Sequence, residues 1–304
     1  MQIIGAEELG RRLSMTAAID ALERAFREED PSSGPLRSHV ETPAGSLLLM
    51  PASGAAGVGV KLVTLSPGNP DRGLPLINAV YVLFDATTQE PEAMIDGAAL
   101  TALRTAAVSG LAARWLANDQ AARLVIFGSG VQATSHLEAM LAVRPIEHVT
   151  IVSRTSERAE ALAAVARGNG IAGVVGTSKA VAEADVICTC TTATSPLFNG
   201  RWLKAGAHVS AVGTHLPTAR ELDGATIGRA KVVVETREVA LAEAGELVMA
   251  IQEGSVGPDH LLADLKELVS GTTVRTSPDD VTVFKSVGLA FEDLAVARAA
   301  LDAR

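Results

Sequence analysis

The stretch RLVIFGSGVQATSHLEAMLAV, residues 123–143, decides the fold of this chain. It begins with an apolar run typical of a short buried strand, turns at Gly128-Ser129-Gly130, and continues with helical spacing over 131–143. GSGVQA fits the pattern G-x-G-x-x-A, in which a strand, a tight turn and a helix form a dinucleotide-binding loop. Because G-x-G alone is a weak signal in a chain with 27 glycines, its significance comes from the flanking strand and helix.

Each position of this loop has a physical role. Gly128 permits the tight turn, Gly130 lets a pyrophosphate approach the backbone, and Ala133 lets the helix pack closely on the sheet. Val131 and Gln132 lie at the helix N-terminus, where N–H donors and the helix dipole favour phosphate groups. A sterically tight turn that binds no ligand is the alternative interpretation.

The second half of the chain continues this alternation of strands and helices. HVTIV at 148–152 predicts a second strand and 156–167 a second helix, and the runs VVG, DVICTC, HVSAVG and KVVVE predict further strands. The alternation is typical of a parallel, doubly wound sheet with right-handed connections. We therefore predict an α/β protein with a Rossmann-type domain over 117–285.

The first half has a different pattern, with its strands clustered before residue 96. Strands are predicted within 36–50 around a turn at 43–45, at 58–65 and at 76–85, and helices at 15–29, capped by Thr16, and at 97–117. This clustering predicts an antiparallel or mixed sheet in an α+β domain over 1–116. A final helix is predicted at 284–300, and we expect residues 286–304 to leave the Rossmann domain and complete the first domain.

Composition excludes several classes of protein. The length of 304 residues suits two domains, and the 48% hydrophobic content with only 3% aromatics predicts cores built from Ala, Val, Leu and Ile. The net charge of −9 and the lack of a Lys/Arg block argue against a nucleic-acid partner, and no apolar run has the ~18 residues that a membrane span needs. Cys188 and Cys190 lack metal-ligand spacing. We expect a soluble, cytoplasmic protein without a metal.

The residues after the second predicted strand indicate which dinucleotide is bound. An NAD site usually has Asp or Glu there, to bind the ribose 2′-hydroxyl, whereas this chain has Ser153-Arg154-Thr155. A cation at this point accommodates a 2′-phosphate, and Arg158 lies one helical turn further on. The triplet therefore favours NADP(H) over NAD(H). Solvated arginines at a helix start are the alternative.

Two cations lie in segments that are otherwise apolar. Lys61 is part of VGVKLVTL, and Arg104 is part of AALTALRTAAVSGLAA. A buried charge is costly unless it is paired, so each of these cations needs an anionic partner. That partner is either an anionic substrate or an internal acid such as Asp85, Glu92 or Asp96.

Several of these stretches together resemble the ornithine cyclodeaminase/mu-crystallin family, and are nearer to its ketimine reductase members. The matching segments are MPA (50–52), KLVT (61–64), LFDATTQEPEAMIDGAALTALRTAAVSGLAARWL (83–116), FGSGVQATSH (127–136), SRT (153–155), EADVICTCTTATSP (183–196), GAHVSAVG (206–213), RELD (220–223) and VFKSVGLAFED (283–293). The resemblance implies a homodimer whose N-terminal sheets join, a substrate-binding and dimerisation role for the first domain, and a cleft between the domains. It also implies NAD(P)H-dependent oxidoreductase chemistry on C=N or CH–NH bonds.

The resemblance also implies roles for particular residues. Arg37, Lys61 and Arg104 match the positions that bind the substrate carboxylate and amine. The residues expected near the nicotinamide are Thr191, Thr192, Ala193, Val212, Ser286, Val287 and Gly288.

Two departures from the cyclodeaminase pattern favour reduction of a preformed imine. Leu48 and His215 replace the two acids that handle the substrate's amino groups. We therefore expect an NADPH-dependent reductase of a carboxylate-bearing ketimine or cyclic imine, such as Δ1-pyrroline-2-carboxylate or Δ1-piperideine-2-carboxylate. The catalytic proton is expected from His215, whose side-chain type titrates near neutrality, or from Lys61; a solvated His215 is the alternative.

Other functions remain open at this point. They are an ornithine or lysine cyclodeaminase, an alanine or opine-type amino-acid dehydrogenase, and a binding protein that keeps the cofactor site without turnover.

Overall fold

The computed structural model describes residues 1–31, 34–35 and 37–303 and divides into two compact units. The first unit comprises Met1–Arg104 together with the C-terminal segment from Leu289 onward, and the second is Thr105–Gly288. Residue 36, at the start of the predicted hairpin, and residue 304, at the end of the segment expected to complete the first domain, lie outside the described residues.

The secondary-structure elements are as follows. The strands are β1 Gln2–Ile4, β2 Ser38–Thr42, β3 Gly45–Gly54, β4 Gly57–Leu65, β5 Ile77–Phe84, β6 Pro91–Asp96, β7 Arg123–Phe127, β8 His148–Val152, β9 Ala172–Val175, β10 Val186–Thr189, β11 His208–Ala211, β12 Lys231–Val234, β13 Leu261–Asp264 and β14 Thr282–Lys285. The helices are α1 Ala6–Arg12, α2 Met15–Glu28, α3 Gly97–Leu116, α4 Val131–Val143, α5 Ser156–Gly168, α6 Gly224–Arg229, α7 Arg237–Glu243, α8 Gly245–Gln252, α9 Leu265–Val269 and α10 Ala290–Asp302. Among the described residues, no helix combines the length and the apolar character needed to cross a membrane.

The first unit is built on a mixed sheet with the strand order β1-β6-β5-β4-β3-β2. β1 pairs with β6 in parallel, and the other neighbours are antiparallel, which confirms the predicted α+β character. Helix α10 packs on β3, β4 and α2, and the rings of Phe26 and Phe291 meet edge to face with centroids 5.2 Å apart. The C-terminal helix therefore belongs to the core of this unit.

The two faces of this sheet differ in burial. Along β4, side chains that point to the α10 side, such as Lys61 and Val63, are buried, whereas the alternate residues Val60 and Leu62 are half-buried. Val82 lies directly opposite Val60 on β5 and is also half-buried. The outer face thus presents a partly exposed apolar surface, which is unusual for a sheet face that contacts only water.

The second unit is a parallel sheet with the strand order β13-β12-β14-β11-β10-β7-β8-β9. Every neighbouring pair is parallel, which confirms the doubly wound, Rossmann-type fold. The strand order reverses between β7 and β10, which is where ligands bind in open sheets of this kind. The predicted strands at 123–127 and 148–152 coincide with β7 and β8.

Two local predictions are wrong. The helix predicted at 284–300 begins only at Ala290, because Thr282–Lys285 is β14, a strand between β11 and β12. A central parallel strand is buried on both faces and lacks alternation, so a short apolar run there cannot be distinguished from a helix by periodicity. In addition, α2 is capped by Ser14, whose hydroxyl accepts from the Ala17 N–H at 3.3 Å, and not by Thr16.

Candidate active site

Lys61 lies in the middle of the first unit's sheet, on the face that α10 covers. It pairs across the sheet with Met50 on one side and Tyr81 on the other, and Tyr81 pairs in turn with Ile95. Directly opposite residues project to the same face, and all four side chains are buried, with Lys61 only 2% exposed. Leu48, one pleat from Met50 on the same face, is also buried, so the surroundings of the ammonium group on the sheet are mainly apolar.

Four buried charges, here called the ion cluster, meet at this point: Lys61, Arg104, Glu292 and Asp293. Lys61 Nζ lies 2.9 Å from Oδ1 and 2.7 Å from Oδ2 of Asp293. Arg104 donates from Nε to Oδ1 of the same carboxylate at 3.1 Å and from Nη1 to Glu292 Oε2 at 2.7 Å. One carboxylate of α10 therefore contacts a cation from β4 and a cation from α3.

The internal acids named from the sequence as partners of these cations are the wrong ones. Glu92 pairs with Arg298, Asp85 accepts backbone N–H groups from its own turn, and Asp96 accepts the Ala99 N–H at 2.9 Å. Glu292 and Asp293 were not predicted from the sequence. Their signal was two adjacent acids inside LAFEDLAVARAA, a helix otherwise almost as apolar as the one that carries Arg104.

Burial tunes the ionisation of the cluster. Desolvation, and to a smaller extent the positive charge of Arg104, lower the pKa of Lys61 to about 8 against the opposing effect of Asp293 and Glu292. Burial also raises the pKa of Tyr81, so its phenol stays neutral. A lysine with a pKa near 8 can hold or release a proton close to neutral pH, which is typical of a group that takes part in proton transfer.

Arg37, the third predicted substrate residue, is half-buried and directly precedes β2. The structure therefore brings two of the three predicted residues, Lys61 and Arg104, onto one carboxylate.

The glycine loop after β7 has the geometry of a dinucleotide-binding turn. Gly128 adopts φ +108°, and a Cβ there would lie 2.4 Å from the Cys190 carbonyl oxygen, so only glycine fits. Its N–H donates to the Val152 carbonyl at 2.9 Å. At Gly130, the N-cap of α4, a Cβ would meet no described atom within 4 Å, so the backbone is open to the approach of a ligand.

The end of β8 carries the predicted cofactor-selecting residues. Ser153 hydrogen-bonds Ser129 through their hydroxyl oxygens, 2.8 Å apart, which joins this strand end to the glycine loop. Thr155 is the N-cap of α5. Arg154 and Arg158 are exposed and form no ion pair with any other residue that the structure describes. Both guanidinium groups are therefore available to an external anion.

Glu221, which the sequence analysis also missed, organises the carboxyl ends of β10 and β11. Its fully buried carboxylate accepts from Thr189 Oγ1 at 2.7 Å, from Thr191 N and Oγ1 at 2.9 and 2.6 Å, and from Gly213 N at 2.8 Å. Burial raises the pKa of Glu221, and these hydrogen bonds oppose the rise. Of the residues predicted to lie near the nicotinamide, Thr191 is hydrogen-bonded to Glu221. Thr192 is exposed, and Ala193 and Val212 are half-buried.

Glu235, at the end of β12, holds the other predicted nicotinamide segment. It accepts from Ser286 Oγ at 2.6 Å, from Val287 N at 2.8 Å and from Gly288 N at 2.9 Å. Three donors on one carboxylate fix the turn that follows β14.

The loop that carries His215 is anchored immediately before that residue. Lys285 is fully buried, pairs with Glu246 at 3.0 Å and donates to the Thr214 carbonyl at 2.6 Å. His215 itself is half-buried. Among the described residues, no group of His, Cys, Asp and Glu side chains is arranged to hold a metal ion.

The parallel sheet, with its glycine loop at the point where the strand order reverses, defines a Rossmann-type protein. The first unit of this protein contains the ion cluster with its two buried cations. The chain belongs to the ornithine cyclodeaminase/mu-crystallin family, whose model matches residues 2–303.

Known relatives share nearly the whole chain. A Δ1-pyrroline-2-carboxylate reductase of Bacillus cereus is 39% identical over 98% of this chain and 95% of its own. The structure of Thermococcus litoralis Δ1-pyrroline-2-carboxylate reductase in complex with NADH and L-proline is 34% identical, with a TM-score of 0.92 over 99% of this chain and 97% of its own. An archaeal alanine dehydrogenase dimer with bound NAD is 32% identical, with a TM-score of 0.92 over 99% and 95%.

Proposed function

We propose that this chain is an NADPH-dependent reductase that converts a carboxylate-bearing ketimine or cyclic imine, such as Δ1-pyrroline-2-carboxylate or Δ1-piperideine-2-carboxylate, to the amino acid. The observation that carries the proposal is the meeting of Lys61 and Arg104 on one buried carboxylate. A proton donor beside a planar guanidinium suits an imine next to a carboxylate. The relatives named for Δ1-pyrroline-2-carboxylate reduction support the same chemistry.

The second unit fits a pyridine dinucleotide. The residues that would hold its phosphates and adenosine ribose are Gly128, Gly130, Val131, Gln132, Ser153, Arg154, Thr155 and Arg158. The residues that would surround its nicotinamide are Thr191, Thr192, Ala193, Val212, Ser286 and Gly288. When bound, the reduced nicotinamide supplies the hydride that adds to the imine carbon.

The residues of the first unit would bind and protonate the substrate. A guanidinium has five N–H donors, so the bonds from Arg104 to Asp293 and Glu292 are compatible with a further carboxylate, that of the substrate, supported by Arg37. Lys61 would give one proton to the imine nitrogen. The C=N bond then becomes CH–NH, with the hydride on carbon and the proton on nitrogen, and water reprotonates Lys61.

Cyclodeamination of ornithine or lysine is disfavoured by the same geometry. That reaction involves a second amino group of the substrate, and an acid near Lys61 would be suited to bind it. The residue of β3 at which the cyclodeaminase pattern has this acid is instead the buried, apolar Leu48. Likewise, the loop after β11 presents His215 and not a carboxylate.

We propose a homodimer formed through the outer face of the first unit's sheet, as well as a cytoplasmic location. The partly exposed valines and leucines of β4 and β5 support the dimer, and a relative of similar fold is a dimer. The free thiols Cys188 and Cys190 suit a reducing compartment.

The substrate assignment is tested with the purified protein and a panel of imines. We expect NADPH oxidation with Δ1-pyrroline-2-carboxylate and no proline from ornithine with NAD. Arg104→Ala should lower kcat/KM about 10³-fold, equivalent to ~4 kcal/mol of transition-state binding, while NADPH still binds in a fluorescence titration. Arg24→Ala, at an exposed arginine of α2, is the control. Conversion of ornithine to proline by the native protein would reject the reductase assignment.

The cofactor preference is tested by the ratio of kcat/KM for NADPH and NADH. We expect the ratio to be about tenfold or more in favour of NADPH, because a charge-assisted hydrogen bond contributes ~1.5–3 kcal/mol. Arg154→Asp should abolish or reverse the preference, and Arg201→Asp, at another exposed arginine of the second unit, should leave it unchanged. Equal use of both cofactors by the native protein contradicts the NADP assignment.

The proton source is tested by the pH dependence of imine reduction. Since the lowered pKa of Lys61 is about 8, the protonated form, and with it kcat/KM, should decline as the pH rises through that value. His215→Ala should then keep its activity within about threefold and retain the same pH profile. A loss on the order of 10²-fold with a changed profile would assign the proton to His215 instead.

The dimer is tested by light scattering after gel filtration. The native protein should have about twice the chain mass of 31.3 kDa. Val60→Lys should give a monomer, since it adds a charge to the centre of the apolar face. Val174→Lys, at a 55% exposed valine of β9, is the matched control and should stay dimeric. A dimeric Val60→Lys variant would place the interface elsewhere.

A further inference from the structure

Asp293 contacts both of the cations assigned to substrate binding. Its carboxylate is fully buried. Oδ1 accepts hydrogen bonds from Lys61 Nζ at 2.9 Å and from Arg104 Nε at 3.1 Å, and Oδ2 lies 2.7 Å from the same Lys61 ammonium in an ion pair. Glu292, the preceding residue, bonds to Arg104 Nη1. Asp293 is thus the residue of the ion cluster that bridges the strand carrying Lys61 and the helix carrying Arg104.

The two cations need such a bridge to stay close together while buried, and Lys61 also needs it to stay protonated. Each is almost completely removed from water, and Arg104 disfavours the protonated form of Lys61 by repulsion. A buried cation that loses its partner either releases its proton or moves to solvent. Arginine keeps its proton in proteins, so Lys61 is the cation that would change.

The groups that face Lys61 come from three elements. Asp293 and Glu292 approach it from α10, Arg104 from α3, and Tyr81 from β5. The phenol of Tyr81 is neutral, and its hydroxyl has no hydrogen-bond partner among the described residues. Asp293 is therefore the main negative charge acting on the ammonium group.

We propose that Asp293 is a positioning residue for imine reduction: it holds the proton donor Lys61 and the carboxylate-binding Arg104 at one spacing and keeps Lys61 protonated. The inference rests on the proposed function and adds a residue to it. When the substrate carboxylate binds to Arg104, the imine nitrogen of the substrate then lies at a fixed distance from Lys61. Asp293 itself contacts neither the hydride nor the transferred proton.

The pH profile distinguishes this role from a purely structural one. Asp293 raises the pKa of Lys61 and so opposes the larger effect of burial. Asp293→Asn keeps the shape of the side chain and removes its charge. The alkaline limit of activity, which is the pH at which kcat/KM falls to half, should therefore move below about 8. We expect about a fivefold or greater loss of kcat/KM at pH 8 and almost no loss at pH 6, the difference that lowering a pKa of about 8 by one unit produces. A purely structural residue would lower activity equally at every pH.

Two further variants keep the test decisive if Asp293→Asn folds poorly. Asp293→Glu keeps the charge but displaces the oxygens, so kcat should fall while the alkaline limit stays near that of the native enzyme. Glu92→Gln breaks the Glu92–Arg298 pair, which also joins α10 to the sheet, and should change neither kcat nor the pH profile. Melting temperatures measured in parallel report the fold of each variant.

The outcomes separate this inference from the proposed function. An alkaline limit that is the same in the native enzyme and in Asp293→Asn overturns the role of Asp293, even if the native enzyme reduces imines well. A limit that shifts equally in Asp293→Asn and Asp293→Glu also overturns it. Failure of the native protein to reduce any imine in the panel instead rejects the proposed function.

Discussion

The first unit depends on the cost of burying charge. Lys61 and Arg104 lie in segments whose other side chains pack against apolar neighbours, and neither could be buried there without a carboxylate. Asp293 and Glu292 supply it from the other end of the chain, on α10, which follows the second unit in the sequence and packs on β3, β4 and α2. Burial in this core lowers the pKa of Lys61, and the ion pair with Asp293 opposes that change.

The second unit uses buried carboxylates in a related way. Glu221 and Glu235 each collect several N–H and O–H donors from the loops that follow β10, β11 and β14, and Lys285 fixes a carbonyl of the loop before His215. These loops lie at the carboxyl edge of a parallel sheet, where ligands bind in folds of this kind. Because each buried polar group must be satisfied, the acids restrict the loops to one arrangement and prepare the edge for a ligand.

Family membership and fold leave the reaction open, and particular side chains narrow it. An apolar Leu48 beside Lys61, and a histidine in place of an acid at 215, suit a substrate that already contains its C=N bond. Arg154 at the end of β8 suits a 2′-phosphate, although the two similar structures described above contain NADH or NAD. Each of these inferences rests on one or two residues that a substitution can test independently.

The sequence by itself determined what depends on neighbouring residues. The strand, glycine turn and helix over 123–143 match β7 and α4, because local periodicity and the needs of a tight turn are encoded within a few residues. It also indicated that Lys61 and Arg104 needed partners. Only the tertiary structure decided which acids are the partners. Asp293 lies 232 residues from Lys61 and 189 from Arg104, and the residues around an acid on an apolar helix do not indicate which distant cation it contacts. The strand β14 was likewise decided by its place inside the parallel sheet, where burial on both faces removes the alternation that a sequence pattern needs.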